Sequence, residues 1–239
     1  MSSPAISVLC PFYNERENLE ELYRQMNEAC RGLPVAWEVL FIDDGSQDLG
    51  GDLLKQLIGS DGRFQVIRLN RNGGKSAALD AGFRSSRGEI LATMDADLQD
   101  PPHEIPRMLS LLEGVDIVAG IRKKRKDSWF RRTVSKVSNS IRRAVLKDTI
   151  WDINCPLCVF RREALSVWLP LKGMHRFFLA LAEAEGFRIR QVEVENRPRY
   201  KGRSKNNFRN RGLVVVLDLF GTAWLMRRKI SRVRMNDKR

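Results

Sequence analysis

Short apolar runs alternate with amphipathic segments over the first half of the chain, and this alternation limits the fold more than any other feature. The predicted strands are Ile6–Cys10, Glu38–Ile42, Phe64–Leu69, Ile90–Met94 and Asp116–Ala119. The predicted helices are Glu17–Cys30, Leu49–Ile58, Lys75–Arg84 and Pro102–Leu112. Strands that alternate with helices are typical of a mainly parallel sheet covered by helices on both faces. The sequence therefore predicts an α/β fold with a mainly parallel central sheet.

The pattern changes after residue 120. Here we predict a helix over Ser128–Leu146, strands over Cys158–Phe160 and Ile189–Val194, and an irregular loop over Arg197–Arg209. A further amphipathic segment follows this loop. We therefore expect one domain over residues 1–210 and a separate C-terminal segment over residues 211–239.

Polar motifs follow four of the predicted strands. They are Pro11–Glu15, Asp43–Ser46, Asn70–Lys75 and Asp95–Gln99. In open α/β sheets, ligands bind in the crevice beyond the carboxyl ends of the strands. The four motifs are therefore expected to share one binding site.

The motif Asp95–Gln99 offers oxygen ligands to a cation. Alternate residues of an extended segment point the same way, so Asp95, Asp97 and Gln99 can present oxygens to one spot. Mg²⁺ and Mn²⁺ prefer such ligands and commonly bridge to phosphates. Two aspartates one residue apart also occur in ordinary polar turns. The choice between a cation site and an ordinary polar turn therefore depends on the neighbouring motifs.

The net charge of +13 is unevenly distributed. Residues 122–147 carry +10 and residues 197–239 carry +12, which leaves about −9 for the rest of the chain. Such basic segments favour an anionic partner: a phosphorylated substrate, anionic lipid headgroups or nucleic acid. No nucleic-acid-binding module is recognisable, so we expect no nucleic-acid partner. A basic nucleic-acid-binding protein remains the alternative from another functional class.

The sequence contains neither a signal-peptide pattern nor an apolar run of eighteen residues. It has four cysteines, and the pair Cys155 and Cys158 lacks a second pair that could complete a zinc site. These features predict a cytoplasmic protein without a disulfide framework.

Four ordered motifs resemble those of family 2 glycosyltransferases, and most closely the dolichyl-phosphate mannose synthase group with its bacterial polyprenyl-phosphate relatives. The motifs are Pro11-Phe12-Tyr13-Asn14-Glu15-Arg16-Glu17-Asn18-Leu19, Asp43-Asp44-Gly45-Ser46, Asp95-Ala96-Asp97-Leu98-Gln99 and Arg199-x-x-Gly202-x-Ser204-Lys205. The resemblance covers about residues 5–206 and implies the Rossmann-like GT-A fold. It also implies inverting, Mg²⁺- or Mn²⁺-dependent transfer of a sugar from a GDP- or UDP-linked donor to dolichyl or undecaprenyl phosphate.

The resemblance also implies roles for individual residues. Those matching nucleotide-sugar contacts are Pro11, Tyr13, Glu15, Ile42, Asp44, Asp95, Ala96, Asp97, Gln99, Arg122, Arg199 and Lys205. Those matching catalytic positions are Asp97, Arg122, Arg199 and Lys205, and those matching metal ligands are Asp97 and Gln99.

Several of these residues also have simpler interpretations. Asn14 is expected to cap a helix that begins near Arg16. Arg122 could be one more charge in a solvated basic run, and Arg199 could lie in a basic linker. His175 resembles a position near the acceptor, where it could be a general base, although a lone histidine is more often structural.

The C-terminal segment predicts a helix that lies on an anionic membrane surface. Its polar stripe is Arg211, Asp218, Thr222 and Lys229, and its apolar side is Leu213, Val216, Leu217, Phe220 and Trp224. Basic residues follow, which is typical of interfacial helices. We therefore expect peripheral attachment at the cytoplasmic face of the cell membrane. The alternatives are docking of this helix on its own domain or on a membrane partner subunit.

Two other possibilities stay open, one of them enzymatic. The acceptor could be soluble or a cell-envelope polysaccharide, although the Gln-x-x-Arg-Trp motif of processive family 2 synthases is absent from this sequence. The chain could also be a catalytically silent accessory subunit, against which the intact Asp95–Gln99 motif argues.

Overall fold

The computed structural model describes residues 4–122, 139–201 and 211–228. Its strands are β1 (Ile6–Phe12), β2 (Trp37–Asp43), β3 (Phe64–Arg68), β4 (Ile90–Thr93), β5 (Ile117–Arg122), β6 (Cys158–Arg161) and β7 (Ile189–Val194). Its α-helices are α1 (Arg16–Arg31), α2 (Gly50–Ile58), α3 (Lys75–Ser85), α4 (Glu104–Ser110), α5 (residues 139–146), α6 (Phe178–Ala184) and α7 (Arg211–Arg228). Short 3₁₀ turns cover Arg162–Val167 and Met174–Arg176.

All seven strands form one sheet in the order β3-β2-β1-β4-β6-β5-β7. Strands β1 to β4 pair in parallel, β7 is parallel to β5, and β6 is antiparallel to both β4 and β5. The predicted mainly parallel sheet is therefore confirmed. Since β1 pairs with β2 on one side and with β4 on the other, the winding reverses at β1, and a ligand crevice is expected at its carboxyl end.

Both faces of the sheet are buried. On one face, Val8 and Cys10 of β1 pack in a core with Leu22 of α1. On the other face, Leu9 packs in a second core with Leu79 of α3. Burial on both faces explains why the strands read as continuous apolar runs.

Helix α4 is shorter than predicted, since it covers Glu104–Ser110 rather than Pro102–Leu112. Pro106 is the third residue of the observed helix and therefore lies in its first turn, where proline is tolerated although it lacks an N–H. A helix that began at Pro102 would place Pro106 beyond the first turn. Of the helix predicted over Ser128–Leu146, only residues 139–146 lie within the described part, and they are helical.

The predicted cap of α1 is wrong. Asn14 has a left-handed φ of 51°, and its Oδ1 accepts the backbone N–H of Gln47 at 2.7 Å. The first N–H of the helix, on Arg16, is donated instead to Asp48 Oδ2 at 2.9 Å. The cap comes from the loop after β2, so local sequence could not reveal it.

Helix α7 presents Asp218 and Thr222, two residues of its predicted polar stripe, to the protein. Thr222 and its neighbours Leu219 and Ala223 are buried, and Asp218 lies 3.7 Å from Arg176. On a membrane-surface helix, the polar stripe would face water. In the structure, Asp218 faces the protein, where Arg176 is its ionic partner. The outer side exposes apolar side chains: Val215, Val216, Leu217, Phe220 and Trp224. Within the described residues, no helix is both long enough and apolar enough to cross a membrane.

Candidate functional site

Arg199 joins three parts of the chain at the carboxyl end of the sheet. Its guanidinium donates to the Glu15 carboxylate at 3.1 and 3.3 Å and to Asp97 Oδ2 at 2.8 Å. Glu15 follows β1 and Asp97 follows β4, so the crevice predicted between these strands is lined by opposite charges. All three side chains are largely buried, with exposed fractions of 25% for Arg199, 15% for Glu15 and 11% for Asp97.

The segment around Arg199 is attached to this crevice through its backbone. The N–H of Arg197 donates to the carbonyl of Gln99 at 2.8 Å. The Asn18 amide donates to Glu15 Oε2 at 2.6 Å and, more weakly, to the carbonyl of Lys201 at 3.4 Å. The first turn of α1 therefore holds both Glu15 and the end of this segment.

Lys75 forms a further ion pair in the crevice. It begins α3, and its ammonium contacts Asp95 Oδ1. Lys75 belongs to the motif Asn70–Lys75, which the sequence analysis places at the shared binding site. The motif thus brings a cation to the first aspartate of the Asp95–Gln99 motif.

Asp44 holds this motif in place. Its carboxylate accepts the N–H groups of Gly73 and Gly74 at 2.8 and 2.9 Å and the Asn72 amide at 3.1 Å. Burial raises the pKa of Asp44, although these donors partly oppose the effect. Gly45 beside it has a φ of +74° and approaches the backbone of Arg71 so closely that a Cβ would lie 2.6 Å away. These contacts hold the motif Asn70–Lys75 against the end of β2, at the residue for which the resemblance implies a nucleotide-sugar contact.

Arg122 lies at the end of β5 and is locked to one carboxylate. Its Nε and Nη2 donate to the two oxygens of Asp152 at 2.9 and 3.0 Å. Burial acts to lower the pKa of Arg122, but the ion pair with Asp152 outweighs it and the pKa is raised. The alternative of a solvated charge is therefore excluded for this side chain, which is only 12% exposed.

Asp100 interacts electrostatically with members of both ion pairs, with Asp97 of the Arg199 pair and with Arg122 and Asp152. Burial raises its pKa to about 6, Arg122 acts to lower it, and the carboxylates of Asp95 and Asp97 raise it further. Its Oδ1 is buried, without a hydrogen-bond partner among the described residues. The charges of the Arg199 and Arg122 clusters therefore both act on Asp100.

The remaining predicted residues occupy different depths. Tyr13 and Gln99 are half-buried, while Pro11, Ile42 and Ala96 are buried, and Ile42 has no exposed surface. Lys205 lies outside the described residues. His175 Nδ1 is 2.8 Å from the hydroxyl of Ser76, which follows Lys75 in α3.

Sequence reasoning missed Asp100, Asp152 and the pairing of Lys75. Asp100 could have been noticed as the residue after Gln99. Asp152 carried no local signal, because it lies thirty residues from Arg122 in sequence.

The residues present fit a divalent cation. Among the described residues, no three His, Cys, Asp or Glu side chains form a complete metal cage. Mg²⁺ commonly uses only one or two carboxylates, with substrate phosphates and water as its other ligands. Burial and the neighbouring Asp95 raise the pKa of Asp97, so positive charge beside Asp97 is favoured. A guanidinium already lies against Asp97 Oδ2, so this oxygen faces a positive charge in the structure.

The fold and this site define a sugar-transferase architecture, and the chain belongs to glycosyl transferase family 2. The model of that family, described as "Glycosyl transferase family 2", matches residues 7–169. The undecaprenyl-phosphate 4-deoxy-4-formamido-L-arabinose transferases of Salmonella choleraesuis and Salmonella paratyphi B are each 39% identical to it over 205 residues. The alignments cover 85% of this chain, which spans only 63% of the length of those relatives.

Solved structures confirm the GT-A fold. A mannosyltransferase from Pyrobaculum calidifontis, solved with GDP-Man and Mn²⁺, matches 97% of this chain and 66% of its own with a TM-score of 0.68 and 19% identity. Glucosyl-3-phosphoglycerate synthase from Mycobacterium tuberculosis, solved with Mn²⁺, UDP-glucose and phosphoglyceric acid, matches 92% of this chain and 80% of its own with a TM-score of 0.71 and 18% identity.

Proposed function

We propose that this protein transfers a sugar from a nucleotide-diphosphate donor to a polyprenyl phosphate, with inversion and with Mg²⁺ or Mn²⁺ as cofactor. The observation that carries the proposal is the arrangement in which Arg199 bridges Glu15 and Asp97 at the carboxyl end of the sheet. It places carboxylates suited to a metal beside cations suited to phosphates. The names of the undecaprenyl-phosphate relatives support the lipid acceptor.

The donor would bind in the crevice between β1 and β4. Tyr13 offers a stacking face and Glu15 an acceptor for the base or ribose. Asp97 and Gln99 would hold the cation, which supplies positive charge as the diphosphate departs. The residues proposed to line the nucleotide sugar are those named from the sequence: Pro11, Tyr13, Glu15, Ile42, Asp44, Asp95, Ala96, Asp97, Gln99, Arg122, Arg199 and Lys205.

The arginines would stabilise the leaving group. Arg199 already lies in the crevice, and its planar guanidinium suits phosphate oxygens. Arg122 uses Nε and Nη2 for Asp152, and its Nη1 is not part of that pair. Lys205 is assigned the same task by its position in the Arg199-x-x-Gly202-x-Ser204-Lys205 motif.

The acceptor needs little activation. A phosphate monoester has a second pKa of about 6 and is therefore largely ionised near neutral pH. Catalysis then rests on in-line placement of the acceptor and stabilisation of the diphosphate, without a strong base. A single displacement inverts the anomeric carbon.

The donor sugar and the membrane attachment complete the proposal. The names of the relatives favour a 4-amino-4-deoxypentose derivative over mannose. The exposed apolar side of α7, together with Arg227 and Arg228 at its end, supports peripheral attachment to an anionic membrane at the cytoplasmic face. A membrane partner subunit is the alternative occupant of this surface.

A transfer assay tests the function directly. The full chain is mixed with vesicles containing undecaprenyl phosphate and with a panel of labelled nucleotide sugars, and the lipid is extracted into organic solvent. We expect label in the lipid phase with one donor, and none with the Asp97→Asn variant. Label transferred only to a water-soluble acceptor, or no transfer from any donor, would refute the proposed acceptor.

A further inference from the structure

We propose that Arg199 is the resident counter-cation of this site, and that a divalent cation can bind Asp97 only by displacing it. This inference rests on the proposed function, because it concerns the metal ligand assigned there. It adds a second state for Arg199, in which the guanidinium occupies the metal's place before the donor arrives.

The contacts of Asp97 support mutual exclusion. Its Oδ2 accepts the Arg199 guanidinium at 2.8 Å, and its Oδ1 accepts the backbone N–H of Gln99 at 3.1 Å. Oδ2 therefore already holds a positively charged group, and a metal bond to Oδ2 competes with the arginine contact. A guanidinium keeps its charge throughout the accessible pH range, so it repels any second cation placed beside it.

The surrounding charges explain why Arg199 lies here. Glu15, Asp95 and Asp97 bring three carboxylates into the crevice, and Lys75 pairs with only one of them. Unpaired carboxylates at this depth would be costly, because burial penalises the charged form. Arg199 forms ion pairs with the other two.

When the Arg199 side chain is displaced from Asp97, it stays close to the nucleotide diphosphate that becomes its next partner. The backbone stays attached through the bond from the Arg197 N–H to Gln99, while the contact between Asn18 and Lys201 is long at 3.4 Å. A nucleotide diphosphate that arrives with the metal supplies new oxygens for the released guanidinium. Metal alone should therefore bind weakly, and metal with a nucleoside diphosphate much more tightly, as expected for coupled ligands.

Mn²⁺ binding in the absence of donor tests the exchange, with free Mn²⁺ measured by electron paramagnetic resonance on the full chain. Arg199→Gln should bind Mn²⁺ at least about fivefold more tightly than wild type, the lower end of typical coupling between sites. Arg197→Gln is the matched control, since Arg197 pairs with Glu195 at 2.8 Å on the same segment and should leave Mn²⁺ affinity unchanged. Added UDP or GDP should raise Mn²⁺ affinity more in wild type than in Arg199→Gln.

The outcomes separate this inference from the proposed function. If Asp97→Asn abolishes Mn²⁺ binding while Arg199→Gln binds no better than wild type, the metal site stands and the exchange is wrong. If Asp97→Asn binds Mn²⁺ as wild type does, the assigned metal ligand is itself wrong. Absence of Mn²⁺ binding to Arg199→Gln also overturns the exchange.

Discussion

The two arms of the site are built in different ways. The strand-end arm consists of the loops that follow β1, β2 and β4, and its residues lie close to the strands that position them. The cross-chain arm consists of Arg122, Asp152 and the segment 195–201, whose partners are distant in sequence, as the 184 residues between Glu15 and Arg199 illustrate. The first arm provides Glu15, Asp95 and Asp97, and the second provides Arg122 and Arg199. A productive site therefore exists only once the whole sheet has assembled.

The largest effect is expected in the strand-end arm. Asp97→Ala should reduce transfer by more than about 10³-fold, because the cation loses a protein ligand and the diphosphate charge is left unbalanced. EDTA should abolish wild-type transfer, and Mg²⁺ or Mn²⁺ should restore it. Circular dichroism should confirm that the variant remains folded. Full activity in excess chelator would contradict the metal role and weaken the distinction between the arms.

The next effect belongs to the cross-chain arm. Arg199→Ala should slow transfer by about 10²-fold, the scale of losing one preorganised charge contact. Arg197→Ala serves as a control, because its guanidinium pairs with Glu195 rather than with the crevice. Lys205→Ala is expected to behave like Arg199→Ala. Normal turnover in both Arg199→Ala and Lys205→Ala would mean that the segment carrying these two residues is only a linker.

Much of the strand-end arm could be predicted from sequence. Apolar runs locate the strands, and the polar residues that follow a parallel strand must lie at its carboxyl edge. The cap of α1 and the pairing of Arg122 could not be predicted. Asp48 and Asp152 reach their partners through tertiary packing, and nothing in the neighbouring residues indicates it. The orientation of α7 was missed for the same reason, since helical spacing defines its two sides but not which one meets Arg176.

A smaller effect is expected for the Arg122–Asp152 ion pair of the cross-chain arm, whose contribution to stability can be measured. Arg122→Met should lower the free energy of unfolding by about 2 kcal/mol, because it removes charged hydrogen bonds and leaves Asp152 without this partner. The measurement is urea denaturation of Arg122→Met, Asp152→Asn and the double variant. Since the two side chains are in contact, their effects should not add. Additive losses would show that the pair observed here contributes little to stability.

The smallest effect concerns α7, whose exposed face differs from both arms because it carries apolar side chains. Trp224→Asp should weaken binding to anionic vesicles by about tenfold, since it removes part of the 1.5–3 kcal/mol available from burying a large apolar side chain. Flotation with vesicles measures this, and Val35→Asp is the control, because Val35 is an exposed apolar residue outside the helix. High salt should also weaken binding, because it screens Arg227 and Arg228. Asp218→Lys should loosen the helix from its domain, since Asp218 faces Arg176 at 3.7 Å rather than water. If Trp224→Asp floats as well as wild type, the membrane contact lies outside this face, and the basic residues 122–147 become the next segment to test.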